Sequence, residues 1–148
     1  MAARLSIIEY EGKILCASAN HWGLRPVKEL GKTLRDSDYG GTSHAGEFET
    51  SLYLALRPDL VDMDRAVDER SPLSNSFKTD LLAGGHPEGS DARLVPYWSS
   101  VTASGVMGDA TRATREKGEQ FLEAGITGLI ELIRELRGTP IPVRRDQH

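Results

Sequence analysis

The sequence holds a single cysteine, Cys16, among 148 residues, so an internal disulfide is excluded. A lone thiol fits a reducing compartment, and its place in an apolar run favours a buried small hydrophobe over a reactive group. Apolar runs are also short. None approaches the roughly 18 residues that a membrane-spanning helix needs, and the start lacks the apolar stretch of a secretory signal. We therefore expect a soluble, cytoplasmic protein.

The sequence also lacks a large excess of either positive or negative charge. The formal net charge is −4, and the sequence has neither a basic stripe nor a run of like charges. This argues against a nucleic-acid-binding surface and against a charged interaction tail. The apolar, charged and glycine contents are ordinary for a globular protein, and the length suits one domain with a core, spanning 1–148.

Few segments have the pattern of a β-strand. Strands are indicated at 5–10 and 14–19, joined by a turn at 11–13, because both are apolar runs bounded by polar or glycine residues. The region 69–109 is rich in Ser, Gly, Pro and Asp, which predicts long irregular connections with one further strand near 93–96. A connection of this length in a compact domain usually serves a function or an interface.

Three helices are predicted. A proline in the first turn favours a short helix over 26–34, and a second is indicated over 45–56. The clearest begins after a cap at Asp109 or Thr111 and runs to about Leu136. Its apolar residues recur every three or four positions and predict one broad packing stripe. They are Phe121, Leu122, Ile126, Leu129, Ile130, Ile133 and Leu136.

These elements indicate an α/β fold with too few strands for a complete sheet. An incomplete sheet leaves an unpaired edge and an uncovered apolar face. Both features call for a partner.

Reactive side chains are densest at the start of the second helix. His44 just before that helix can donate a proton or bind a metal, and Glu47 lies three residues on, at a spacing that can share one helix face. Glu49 points elsewhere and suits an anchor for a neighbouring group or a ligand. The same residues also suit a purely structural helix start, with Thr42 or Ser43 as cap and acidic residues in the first turn.

The segment 44–61 reads HAGEFETSLYLALRPDLV and resembles the signature of creatininase-family proteins. A second block agrees in order and spacing: TASGVMGD at 102–109, followed by ATREKG at 113–118, is similar to that family's loop and the start of its last helix. The resemblance covers about 12–138 and corresponds to the C-terminal half of the family.

This resemblance implies a partial three-layer creatininase-like fold, with helices packed on a mostly parallel sheet that a partner chain completes. It also implies a hydrolase of linear or cyclic amides that uses two divalent ions (Zn, Mn or Fe) and a bridging water. His44 would give a proton to the leaving nitrogen, with Glu49 as a second catalytic residue. Trp22, with His21 beside it, would contact the substrate, although packing at a strand end explains Trp22 equally well. Glu47 is a weak candidate metal ligand.

The departures from the family are as informative as the match. The family's metal ligands, a Glu-x-His pair, an Asp and an Asn-Gly-His motif, are absent, and Gly40 to Ser43 stand where a Trp-Asp pair is usual. His86 is a leftover candidate without obvious partners. A hydrolytic metal site generally needs three ligands, so we expect most of them on a second creatininase-like chain in a higher hetero-oligomer. The alternatives are a non-catalytic structural or regulatory subunit and a small self-sufficient protein of another class.

Overall fold

The computed structural model describes residues 10, 13–85 and 94–143. Within these residues, three α-helices carry most of the regular structure, and short 3₁₀ turns and two-residue strands connect them. The 3₁₀ turns are His21–Gly23, Pro58–Leu60, Met63–Arg65, Trp98–Ser100 and Ala110–Arg112.

The three helices confirm the prediction from the sequence. Helix α1 is Arg25–Leu34, with Pro26 in its first turn, and α2 is Glu47–Leu56. Helix α3 is Arg115–Gly138. Its cap is Thr114, whose hydroxyl accepts from the Lys117 amide, so the helix begins later than a cap at Asp109 or Thr111 would place it. Asp109 instead caps the short turn that precedes α3.

The strands differ from the prediction of a mostly parallel sheet. Strand β1, Asp68–Glu69, pairs with β4, Gly108–Asp109, and β2, Thr79–Asp80, pairs with β3, Gly84–Gly85. Both pairs are antiparallel, so in the described residues the parallel arrangement is wrong. Pairs this short, built largely from Asp and Gly, owe little to strand propensity and depend on the turns and side-chain hydrogen bonds around them.

The individual strand predictions fare no better. Most of 5–10 lies outside the described residues, and so does Arg93. The segments 14–19 and 94–96 are described and form no strand. An apolar run becomes a strand only when a neighbour supplies main-chain partners. No strand of the described chain lies beside 14–19.

The core lies where the three helices meet. Phe48 of α2 and Phe121 of α3 contact edge to face, with ring centroids 4.8 Å apart, and Val27 of α1 and Leu82 complete the buried cluster. Helices α2 and α3 approach at Gly118, where an added Cβ would lie 1.9 Å from the Ser51 carbonyl oxygen. Only glycine permits that approach.

The apolar stripe of α3 is only partly buried among the described residues. Phe121 is buried, but four aliphatic side chains on another side of the helix are 42–49 % exposed. They are Ile126, Leu129, Ile130 and Ile133.

A buried carboxylate, Asp80, organises the loop before α2. It accepts hydrogen bonds from the Arg35 guanidinium, the Thr42 hydroxyl and the Gly40 amide. Burial alone would raise the pKa of Asp80, but Thr42, the Ala83 amide and Arg35 together hold that pKa below its ordinary value. The ionised carboxylate thus fixes the chain that leads to His44.

No helix in the described part of the chain is long and apolar enough to cross a membrane.

Candidate active-site cleft

The main chain around His44 is held on both sides. The His44 carbonyl accepts from the Met107 amide at 2.8 Å, which forms an isolated antiparallel bridge. On the other side, the Ala45 amide donates to Glu49 Oε2 at 2.6 Å. Ala45 has φ +50°, a left-handed conformation that a residue with a Cβ adopts only when its surroundings impose it. These contacts fix the point from which the imidazole projects.

Glu49 lies beside His44 and faces the same space, so the prediction that it points elsewhere is wrong. Its Oε2 is 3.9 Å from His44 Nδ1, which is too long for a hydrogen bond but suits an ion pair when the imidazole is protonated. The two side chains remain accessible, at 55 % exposure for His44 and 30 % for Glu49. The structure therefore brings these two predicted catalytic residues together, in a place that a small molecule can reach.

Glu47 is turned the other way, into the interior. Its carboxylate is fully buried and accepts from the Asp36 and Ser37 amides at 2.8 Å each and from Lys117 Nζ at 2.5 Å. Burial alone would raise the pKa of Glu47, but the hydrogen bonds from Lys117, Ser37 and Asp36 hold it below its ordinary value. Three protein donors thus occupy the carboxylate predicted as a weak metal ligand, and it does not line the space that His44 faces.

The aromatic ring that contacts His44 belongs to Trp98. The rings of His44 and Trp98 meet edge to face, with centroids 4.8 Å apart and planes at 83°. Trp22 packs against the core and contacts the His21 ring, whose other neighbour, Phe48, stacks on it at 5.5 Å. Trp98 was missed because it lies in the irregular region, where only its being one of two tryptophans marks it.

His44, Glu49 and His21 line a cleft of about 850 Å³. A volume of that order suits a small organic molecule. The far wall comes from the end of α2 and the turns after it, and it is mostly apolar with a few charged side chains. This wall includes Tyr53, Leu56, Leu60, Met63, Arg57 and Arg65. Val106, from the loop beside His44, lines the cleft as well.

The described residues do not fit a metal pair. Among them, no group of three or more His, Cys, Asp or Glu side chains lies close enough together to hold an ion. The cleft offers His44 and Glu49 together, with His21 beside the Phe48 ring. His86 lies outside the described residues. The part of the chain that the structure describes therefore does not hold a complete ligand set for a divalent ion.

An imidazole and a carboxylate at the side of an apolar cleft are groups that can carry out acid–base chemistry on a small molecule. The Creatininase family profile (creatinine amidohydrolase) matches residues 1–133 of this sequence. The chain belongs to the creatininase family.

Two curated relatives have different names. Creatinine amidohydrolase of Pseudomonas putida is 40 % identical over 98 residues, which are 62 % of this chain and 30 % of that protein. 3-Dehydro-scyllo-inosose hydrolase of Thermotoga maritima is 31 % identical over 103 residues, 63 % of this chain and 32 % of that protein. Both are hydrolases, and their names indicate different substrates.

A solved manganese form of creatininase superposes with a TM-score of 0.61 at 30 % identity. The match covers 93 % of this chain and 49 % of that one. The chain therefore spans about half the length of the solved relative and about a third of each curated relative. The similarity supports a creatininase-like fold with helices and small sheets, and it extends over nearly all of these 148 residues.

Proposed function

We propose that this chain forms one wall of a creatininase-family amidohydrolase site, and that a partner chain supplies the metal-binding half. The observation that carries the proposal is the His44–Glu49 pair, held by main-chain contacts on both sides and open to a cleft of about 850 Å³. The family match and the half-length coverage by solved relatives support it.

In the proposed reaction, one water is added across a C–N bond. The water oxygen bonds to the carbonyl carbon and one of its O–H bonds breaks, the bond from that carbon to nitrogen breaks, and the nitrogen takes up a proton. The proton that the water releases replaces the one that the acid gives to nitrogen. Protonated His44 donates this proton, and Glu49 positions the imidazole from 3.9 Å while its own Oε2 is anchored on the Ala45 amide. Trp98 packs edge-on against the imidazole and restricts its rotation.

The predicted cofactor is a pair of divalent ions. Solved creatininases include a manganese form and a zinc–zinc form, and this supports zinc or manganese over iron. When bound, such ions lower the pKa of a water and polarise a carbonyl. Because the described residues do not fit them, we place these ions on the partner's side and route no step through this chain's own carboxylates. His21 remains a candidate for substrate contact since it lines the cleft, whereas Trp22 acts through His21 at most.

The test is co-expression of this chain with the part of the Pseudomonas putida creatinine amidohydrolase that it does not match. The assay follows hydrolysis of creatinine in the purified mixture. We expect His44→Ala to lower kcat by about 10²–10⁴-fold, the usual contribution of a general acid. Thr127→Ala, on the exposed side of α3 and away from the cleft, is the control and should leave kcat unchanged.

The alternative function is a non-catalytic subunit, which the lack of a metal-ligand group among the described residues favours. It predicts normal assembly and unchanged turnover in His44→Ala. Hydrolysis by this chain alone, with two bound metals per chain, would contradict the need for a partner.

A further inference from the structure

Helix α3 has two apolar sides, and this chain covers one of them. The covered side carries Phe121 and Gly128, both buried, with Gly128 close to Leu24 and Pro26. The other side, here called the outer face, consists of Ile126, Leu129, Ile130 and Ile133, each 42–49 % exposed. Four large aliphatic side chains in two turns of one helix form a contiguous patch of the kind that marks an interaction site.

The outer face is broad. At 3.6 residues per turn its four residues, with the partly buried Leu122 and Leu136 at its ends, span about 120° of the helix circumference. A two-stranded coiled coil uses a narrower seam, whereas a width of at least about 100° is typical of a helix that faces a protein core. The occupant that fits is therefore a packed layer of a folded domain.

This chain does not provide such a layer in its described residues, because the sheets there consist of two-residue pairs. The solved relative continues for about as much structure again as it shares with this chain. We propose that the outer face of α3 docks on the chain that supplies the metal-binding half. This inference rests on the proposed function and names the surface that joins the two halves.

The experiment uses the same probe, the unmatched part of the Pseudomonas putida enzyme, and measures binding without reference to activity. The double variant Ile126→Glu/Ile133→Glu places two charges on the outer face. Thr127→Glu adds the same kind of charge to the neighbouring exposed side of the helix and is the matched control. Far-ultraviolet circular dichroism and thermal melting of each variant check that the chain itself stays folded.

We expect wild type and Thr127→Glu to form a 1:1 complex by sedimentation, and the double variant to bind at least tenfold more weakly with an unchanged melting curve. Equal binding by the double variant, or no complex with wild type, overturns the proposal. So does a homodimer of this chain alone that the double variant abolishes, because a second copy then occupies the face.

The two proposals fail separately. A complex that depends on the outer face but retains its turnover in His44→Ala refutes the catalytic role and leaves the docking surface intact. An active complex that assembles equally well with Ile126→Glu/Ile133→Glu refutes the docking surface and leaves the catalytic role intact.

Discussion

Replacing Lys117 with methionine removes the cation that faces the buried Glu47 carboxylate and keeps most of the side-chain volume. Lys117 Nζ lies 2.5 Å from Glu47 Oε1, 2.7 Å from Asp36 Oδ2 and 2.8 Å from the Arg112 carbonyl oxygen. The Lys117 side chain is 10 % exposed and that of Glu47 is fully buried, so solvent cannot replace the lost contact.

Breaking a buried ion pair by removing one partner costs about 3–5 kcal/mol. Glu47 keeps two amide donors at 2.8 Å, which places the expected loss at the lower end, about 3 kcal/mol. For a chain of this size each kcal/mol lowers Tm by about 2–4 °C, so we expect a fall of roughly 6–12 °C. Asp36→Asn, which removes the exposed partner of Lys117 instead, is the control and should melt close to wild type.

The loss should also depend on pH. In wild type the pKa of Glu47 is held below its ordinary value, so its ionised form stabilises the fold above that ordinary value, and the stabilisation disappears as pH falls through the folded-state pKa. Lys117 supplies the strongest contact that lowers the pKa of Glu47, so without it burial shifts that pKa upward. The variant's deficit should therefore shrink between pH 7 and pH 4, as protonation neutralises the carboxylate.

The assay is urea unfolding of wild type, Lys117→Met and Lys117→Met/Glu47→Gln at both pH values. The double variant should recover about 1–2 kcal/mol at pH 7, because no uncompensated charge remains inside. A deficit under about 1 kcal/mol at pH 7, or one that is the same at pH 4, would refute the reasoning that this pair is a buried charge contact.

Three further predictions concern close packing, a buried carboxylate and the loop beside His44. Gly118→Ala should lower the free energy of unfolding in urea by about 3 kcal/mol or more, because the added methyl group would lie 1.9 Å from the Ser51 carbonyl oxygen. Gly125→Ala is the control: its methyl group would have no neighbour nearer than 4.0 Å, so it should raise the free energy of unfolding by about 0.5–1 kcal/mol. Asp80→Asn should cost about 3 kcal/mol at pH 7. Because the pKa of folded Asp80 is lowered from 3.8, wild type loses this stabilisation as pH falls below that value towards the folded-state pKa, so the cost should decrease steadily in acid; a cost independent of pH would contradict this. Glu69 accepts hydrogen bonds from the Ser104 hydroxyl and from the amides of residues 103 and 104, and these bonds hold the pKa of Glu69 at about 2. In Glu69→Gln both amides should exchange with deuterium at least tenfold faster. Unchanged exchange would show that Glu69 does not hold this loop in place.

The helices were predictable because their signals are local. Pro26 in a first turn and a repeat of apolar residues every three or four positions both act within one element. The strands were not, because each pairing joins distant segments, and nothing in Asp68–Glu69 indicates that Gly108–Asp109 lies beside it. The apolar run at 14–19 resembles a strand, yet no neighbour pairs with it in the described residues.

The candidate site shows the same division. The sequence predicted His44 and Glu49, but it also placed Glu47 on the face of His44 by counting helical spacing. That count fails because α2 begins at Glu47 and the left-handed Ala45 takes His44 off the helical register. Trp98 could not be assigned because its contact with His44 joins an irregular loop to a helix start far along the chain.

The Gly41 carbonyl oxygen ties the start of α2 to strand β4, and this limits where the cleft can change. It accepts from the Glu47 amide at 3.0 Å and from the Asp109 amide at 2.9 Å, and Gly46 and Gly108 pack backbone to backbone beside it. An insertion or a larger residue at Gly46 or Gly108 would displace the chain around His44 together with strand β4. Substitutions that change the shape of the cleft should therefore be better tolerated on the opposite wall, where Leu56 and Leu60 are 58 % and 61 % exposed.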